Sequence, residues 1–240
     1  MDYEAIVKRL AAYRKECNLR QNDLAKQFKM TQSQYSKVES GKIKISFDNL
    51  YVLQMKGYDI DALILGESKQ KLLPCLEQLT HVENEKQFVS FMKLCEWAWE
   101  QWEQDGGVPQ GIGGDLLKLW TGIDGQKDTR WVRLRKAYND ISQINMANCI
   151  GVNIKKYRLL EQEDIKGEFK HGILKLFVPK KEKNPDAELL LHIYEQTDCK
   201  PGFFMDERGY YLSLINEACK GNERREEQLE EILKMMDKFK

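Results

Sequence analysis

The sequence predicts an all-α protein made of two helical heads in tandem, each followed by a helical tail. Three observations predict it. Apolar residues recur three and four apart along most of the 240 residues, which is the period of a helix and not of a strand. Glycines and short polar clusters cut that pattern into helices of modest length. The chain also resembles itself. Sliding it by 122 positions pairs Gln21 with Gln143, Ala25 with Ala147, Tyr35 with Tyr157, Glu39 with Glu161, Ile43 with Ile165, Lys44 with Lys166 and Phe47 with Phe169. Seven identities thus fall within residues 21–47, where unrelated sequences give roughly one or two. One short strand candidate, "ILKLFV" at 173–178, does not change the class.

In the first head, Ile6, Leu10 and Tyr13 mark a first helix that breaks near Cys17-Asn18. A second helix over 21–29 carries Leu24, Ala25 and Phe28, and a tight turn through Met30 leads to Thr31, a good N-cap for a third. Gly41 stops the third helix. Ser46 caps a fourth bearing Phe47, Leu50, Val52 and Leu53, and "DIDALILG" closes the unit at Gly66. The third helix, "QSQYSKVE", has only Tyr35 and Val38 as apolar anchors. An amphipathic core helix devotes a wider stripe to burial. Its other face offers Gln32, Ser33, Gln34, Ser36 and Lys37, side chains that can hydrogen-bond base edges and phosphates.

The run "YRKECNLRQNDLAKQFKMTQSQYSKVESGKIKISFDNLYVL" resembles the phage-repressor/Cro-like helix-turn-helix family, also called the XRE family, and with "GYDIDALILGE" the likeness covers nearly all of residues 3–67. The resemblance implies a lambda-repressor-like fold and double-stranded DNA as partner. It makes Arg14 and Glu39 a structural ion pair between helices one and three. It places Gln21 at a backbone phosphate, Gln32, Ser33, Gln34 and Lys37 in the major groove, and Lys42 and Lys44 on flanking phosphates. Arg20 departs from the family, which usually has a capping Ser or Thr there.

The stretch "DISQINMANCIGVNIKKYRLLEQ" looks like a second, diverged copy, with Lys136 at the Arg14 position. Where the first copy has Gln32 and Lys37 the second has Ile154 and Leu159, beside Lys155, Lys156 and Arg158. Gln143, Lys155 and Lys156 are its candidate DNA contacts, phosphate binding being favoured over base reading.

Charge follows the same division. Formal net charge is zero, yet residues 1–60 carry +4, 61–130 −5, 131–181 +6 and 182–240 −5. Basic heads alternate with acidic tails. The expected domains are 1–66, a DNA-binding head; 67–105, an acidic helical segment; 106–130, a Gly-rich connector and a short helix capped by Asp115; 131–181, the second head; and 182–240, an acidic helical tail. In the first tail, Phe88, Phe91, Met92, Cys95, Trp99 and Trp102 share one helix face. That face packs on the chain's own helices or forms a homodimer seam, since regulators of this kind meet paired half-sites.

Six dispersed cysteines read as buried reduced thiols, and neither they nor the three histidines show metal-ligand spacing. No apolar run approaches the roughly 20 residues of a membrane span, and no signal peptide is evident. The glycines of "DGGVPQGIGGD" lack the G-K-[ST] of a phosphate loop. The expectation is a cytoplasmic, sequence-specific DNA-binding transcriptional regulator of bacterial or phage type, with no cofactor, no metal and no catalytic site. The alternative is an antitoxin or adaptor that kept the fold as a protein-interaction module.

Overall fold

The computed structural model describes residues 2–67, 70–81, 84–122, 128–162 and 185–237, and among these every regular element is helical. The strand candidate at 173–178 and the paired positions Ile165, Lys166 and Phe169 lie outside the described residues.

The first head is α1 (Tyr3–Glu16), α2 (Gln21–Gln27), α3 (Gln32–Glu39), α4 (Phe47–Gln54) and α5 (Ile60–Leu65). Local chemistry sets each start. Asp2 accepts from the Glu4 amide, Thr31 from Gln34, Ser46 from Asn49 and Asp59 from Asp61, each cap being worth about 1 kcal/mol. Arg20 has no acceptor, so α2 is closed from the other side, its Asp23 carboxylate accepting the Arg20 amide at 2.9 Å. Ile6, Leu10, Leu24, Tyr35, Val38, Leu50, Leu53 and Leu63 meet in a closed core. Arg9 donates to the carbonyls of Leu63 and Ile64, both at 2.6 Å, and so caps the C-terminal end of α5.

Beyond it lie α6 (Pro74–Glu77) with a 3-10 turn (Gln78–His81), α7 (Glu85–Asp105) and α8 (Gly113–Thr121). Then come α9 (Arg130–Ala137), α10 (Gln143–Cys149) and α11 (Ile154–Gln162), followed by α12 (Ala187–Thr197), α13 (Gly202–Met205), α14 (Glu207–Cys219) and α15 (Glu223–Asp237). α7 packs on α8 and α15, and α14 on α8 and α15, so the two tails form one body.

This packing overturns the dimer seam. Phe88, Phe91, Met92, Cys95, Trp99 and Trp102 are all buried within the chain. Trp102 also donates its indole N–H to Gln228 of α15 at 2.8 Å. Burial of such side chains contributes about 2 kcal/mol each. Freeing the whole face for a second copy would therefore cost as much as the ~5–15 kcal/mol that holds a domain folded. Trp97, off the stripe, is 60% exposed.

The Gly-rich segment is structured where it meets α8, and the cap expected at Asp115 is not used. The helix begins at Gly113 with Ile112 at its N-cap position. Gly113 and Gly114 are buried first-turn residues. A β-carbon would stand 2.7 Å from Leu214 at the first and 2.8 Å from the Trp99 indole nitrogen at the second, so two glycines let α8 approach α14 and α7 closely.

Arg225 of α15 is buried and forms no ion pair among the described residues. Its guanidinium donates to the carbonyls of Gly107 and Ala218 at 3.0 Å, of Trp102 at 3.2 Å and of Gly106. It thereby terminates both α7 and α14, where helix dipoles favour a cation.

Both heads are clamped to this body. The carboxylate of Asp61 on α5 accepts the Gly202 amide at 2.7 Å, and the Ala187 amide of α12 donates to Ile45 at 3.0 Å. On the other side, Arg133 of α9 donates to Glu207 at 2.6 Å and Arg130 to the Phe204 carbonyl at 2.7 Å. The Trp131 and Phe204 rings lie 4.6 Å apart.

The thiols are unpaired, but only Cys95, Cys199 and Cys219 are buried, and Cys17 is exposed, contrary to expectation. Burial pushes the Cys219 thiol up to about 12. Among the described residues, no group of side chains is suited to a metal and no helix is long and apolar enough to cross a membrane.

Candidate nucleic-acid interface

α3 is held from beneath by one carboxylate. Glu39, half-buried at the end of the helix, accepts from Arg14 Nε at 2.5 Å, from Gln21 Nε2 at 2.7 Å and from the Tyr35 hydroxyl at 2.8 Å. Arg14 also donates to the Leu19 carbonyl at 2.7 Å, fixing the α1–α2 turn. Burial opposes the charge on Glu39, but the hydrogen bonds from Arg14, Gln21 and Tyr35 outweigh it and hold the carboxyl below its ordinary range. Burial, reinforced by the Glu39 carboxylate, pushes the Tyr35 hydroxyl up, so it stays a donor at neutral pH. Arg14 and Glu39 are therefore scaffold. They orient α3 and do not face outward.

With Tyr35 and Val38 turned inward, Gln32, Ser33, Gln34 and Lys37 stand exposed on the opposite side, and Lys42 follows them, also exposed. Two of these have local partners that sequence alone did not assign. The Gln34 carbonyl oxygen accepts the Thr31 amide at 2.9 Å, completing a reciprocal cap with the Thr31 hydroxyl. Gln32 donates to the Gln21 oxygen at 2.8 Å. That bond uses one of its amide protons and leaves its oxygen for a base edge. Gln21, expected at a phosphate, is half-buried and ties Gln32 to Glu39. Lys44, expected at a flanking phosphate, is engaged within the chain as well. It pairs with Glu188 of α12 at 2.7 Å and lies over the Tyr3 ring. The pair is half-exposed, worth at most about 1 kcal/mol.

The same arrangement recurs on α9–α11. Glu161 accepts from Arg135 Nε at 2.6 Å and from Gln143 Nε2, and Arg135 donates to the Ile141 carbonyl at 3.0 Å. Burial and the charge of Glu161 raise the Tyr157 hydroxyl, as at Tyr35. The turn between the two helices repeats bond for bond. Met30 N to Ala25 O and Phe28 N to Leu24 O are matched by Val152 N to Ala147 O and Ile150 N to Met146 O. Asn153 takes the place of Thr31, its side chain accepting from the Lys156 amide at 2.8 Å.

The cation expected at Lys136 is Arg135. The turn ahead of α10 is one residue longer than its counterpart. Asn139 and Asp140 are both left-handed (φ 58° and 46°) where Asn18 alone is (φ 54°). The extra residue shifts the helix register by one. Lys136 pairs instead with Asp128 at 2.6 Å. Gln143, like Gln21, is engaged with the buried carboxylate. Lys155, Arg158 and Leu159 are exposed, Lys156 is half-buried, and Ile154 packs partly on the core.

Three successive short helices, a tight α2–α3 turn and a polar third helix pinned by a buried carboxylate define a helix-turn-helix DNA-binding domain. Comparison with known families bears this out, for a family model described as helix-turn-helix matches residues 10–54. That part of the chain is a helix-turn-helix of the XRE type. No curated protein and no solved structure matches the chain.

Proposed function

We propose that the protein is a sequence-specific DNA-binding transcriptional regulator that reads the major groove with α3 of its first head. One observation carries this reading. The scaffold around Glu39 buries Tyr35 and Val38 and leaves Gln32, Ser33 and Lys37 exposed together on one face. Glutamine can bond adenine and lysine can bond guanine O6/N7, while Lys42 lies beside them for a phosphate. Gln34 is better understood as a cap that keeps one proton-donating edge outward. Action is by occupancy of an operator, and the reading includes no catalytic step, metal or cofactor.

A test follows from this division of labour. Gln32→Ala, Ser33→Ala and Lys37→Ala together, with Gln34 left in place, should abolish enrichment of any motif from a random duplex pool. The helical circular dichroism should be unchanged. A triple variant that recovers the wild-type motif would sink the assignment. An adaptor role is the second reading, favoured by the exposed indole of Trp97. It predicts a partner complex that survives the triple substitution.

A further inference from the structure

The helix α12 touches both heads within two turns. Its Ala187 amide bonds Ile45 and its Glu188 bonds Lys44, both just past α3. Four residues on, His192 lies against the α10–α11 turn, where a β-carbon at Gly151 would meet its ring at 3.6 Å. Four helical residues advance about 6 Å. Below them, α5 is bonded to α13 through Asp61, and α9 to α14 through Glu207. The placement of one head against the other is thus set by packed helices and not by a linker. The surfaces used are not equivalent. The first head presents α5 and the segment after α3, whereas the second presents α9 and its inter-helix turn. A two-fold axis through α12 would bring equivalent surfaces to it.

The exposed positions of α11 are Lys155, Arg158, Leu159 and Gln162, and the helix's one acid, Glu161, is buried against Arg135. This face can hold phosphates, but Leu159 and Ile154 stand where the first head has Lys37 and Gln32. It grips more than it reads.

Resting on the DNA-binding reading of the first head, we infer that one chain, without a second copy, occupies a single asymmetric duplex site. α3 reads bases in one segment. The second head holds backbone phosphates through Lys155 and Arg158 in the next, at a spacing and phase set by α12.

The experiment uses the full chain and the duplex it selects from a random pool. Expected are one chain per duplex and two blocks of protection against hydroxyl radicals. Lys155→Ala with Arg158→Ala, both surface changes, should remove one block. They should also lower the slope of log affinity against log salt by about 2, at roughly 0.9 per phosphate, with the recovered motif unchanged. Inserting five base pairs between the blocks, about half a helical turn, should reduce wild-type affinity to that of the variant. Two chains on a palindrome, or a footprint and slope indifferent to both changes, would overturn the inference. The second result would leave Leu159 and Ile144 of α10, both exposed, as a protein-docking face. No enriched motif at all would overturn the reading of the first head, and this inference with it.

Discussion

Replacing Glu39 by alanine removes the acceptor on which the first head converges. Three donor side chains lose their partner: Arg14, with Nε at 2.5 Å and Nη2 at 3.5 Å, Gln21 with Nε2 at 2.7 Å, and Tyr35 with its hydroxyl at 2.8 Å. The Arg14 and Glu39 side chains are 13% and 10% exposed. Breaking a fully buried pair costs about 3–5 kcal/mol. Arg14 keeps its bond to Leu19 and some hydration, so about 2–3 kcal/mol is expected here. The assay is amide hydrogen exchange in the full chain, which reports local opening of α1, α2 and α3 separately from the body. At 1.36 kcal/mol per decade, exchange there should quicken about 30- to 150-fold. Acceleration under about threefold would refute the scaffold role. The effect also has a pH signature. The Glu39 carboxyl lies below its ordinary range when folded, so its contribution is complete above the unfolded carboxyl value. It is lost as pH falls through the folded one. The gap between wild type and variant should therefore close on acidification below about pH 4, and a gap that widened would refute the charge argument. Glu161→Ala should likewise quicken amide exchange, confined to α9, α10 and α11.

Other substitutions test the turn and the body. Lys29 sits at φ 52°, where the equivalent residue in the second head, Gly151, has φ 69°. A left-handed side-chain residue costs roughly 1–2 kcal/mol and glycine returns about 0.5–1 kcal/mol of that as lost unfolded-state entropy. Lys29→Gly should then stabilise by about 0.5 kcal/mol; a lowered urea midpoint would refute the strain argument. Arg225→Met strips donors from the carbonyls of Trp102, Gly106, Gly107 and Ala218. At about 1–3 kcal/mol per buried unsatisfied group, partly offset by removing a buried charge, it should destabilise the body by several kcal/mol. Tryptophan fluorescence should shift at lower urea, and an unchanged midpoint would show the cap to be dispensable.

Much of the first head was legible because its signals are local. Thr31, Ser46 and Asp59 cap the helices that follow them, Gly66 ends α5, and the sparse stripe of Tyr35 and Val38 exposed the polar face. The Arg14–Glu39 pair came from a resemblance, and the geometry agrees with it. Partners set by side-chain reach were less legible. Gln34 and Gln21 looked outward in the sequence, yet Gln34 accepts from Thr31 within its own turn and Gln21 donates to Glu39 at the far end of α3. The pattern T-x-x-Q could have flagged the first of these. The Lys136 assignment failed because a sliding comparison assumes constant register, and one extra left-handed residue before α10 breaks it.

By itself the sequence determined the helical class, the five helices of the first head and the residues that α3 exposes, since caps, breakers and a 3.6-residue period act over single turns. It also carried the echo of that head at Gln143, Tyr157 and Glu161. Only the tertiary structure decided where the aromatic face of α7 is covered, that Lys44 turns to Glu188, and how α12 sets the two heads. An apolar stripe does not specify its partner among several amphipathic helices. That choice is made by which surfaces fit closely, with Gly113 and Gly114 admitting α8 and Arg225 closing the ends of α7 and α14. It depends on residues more than a hundred positions apart.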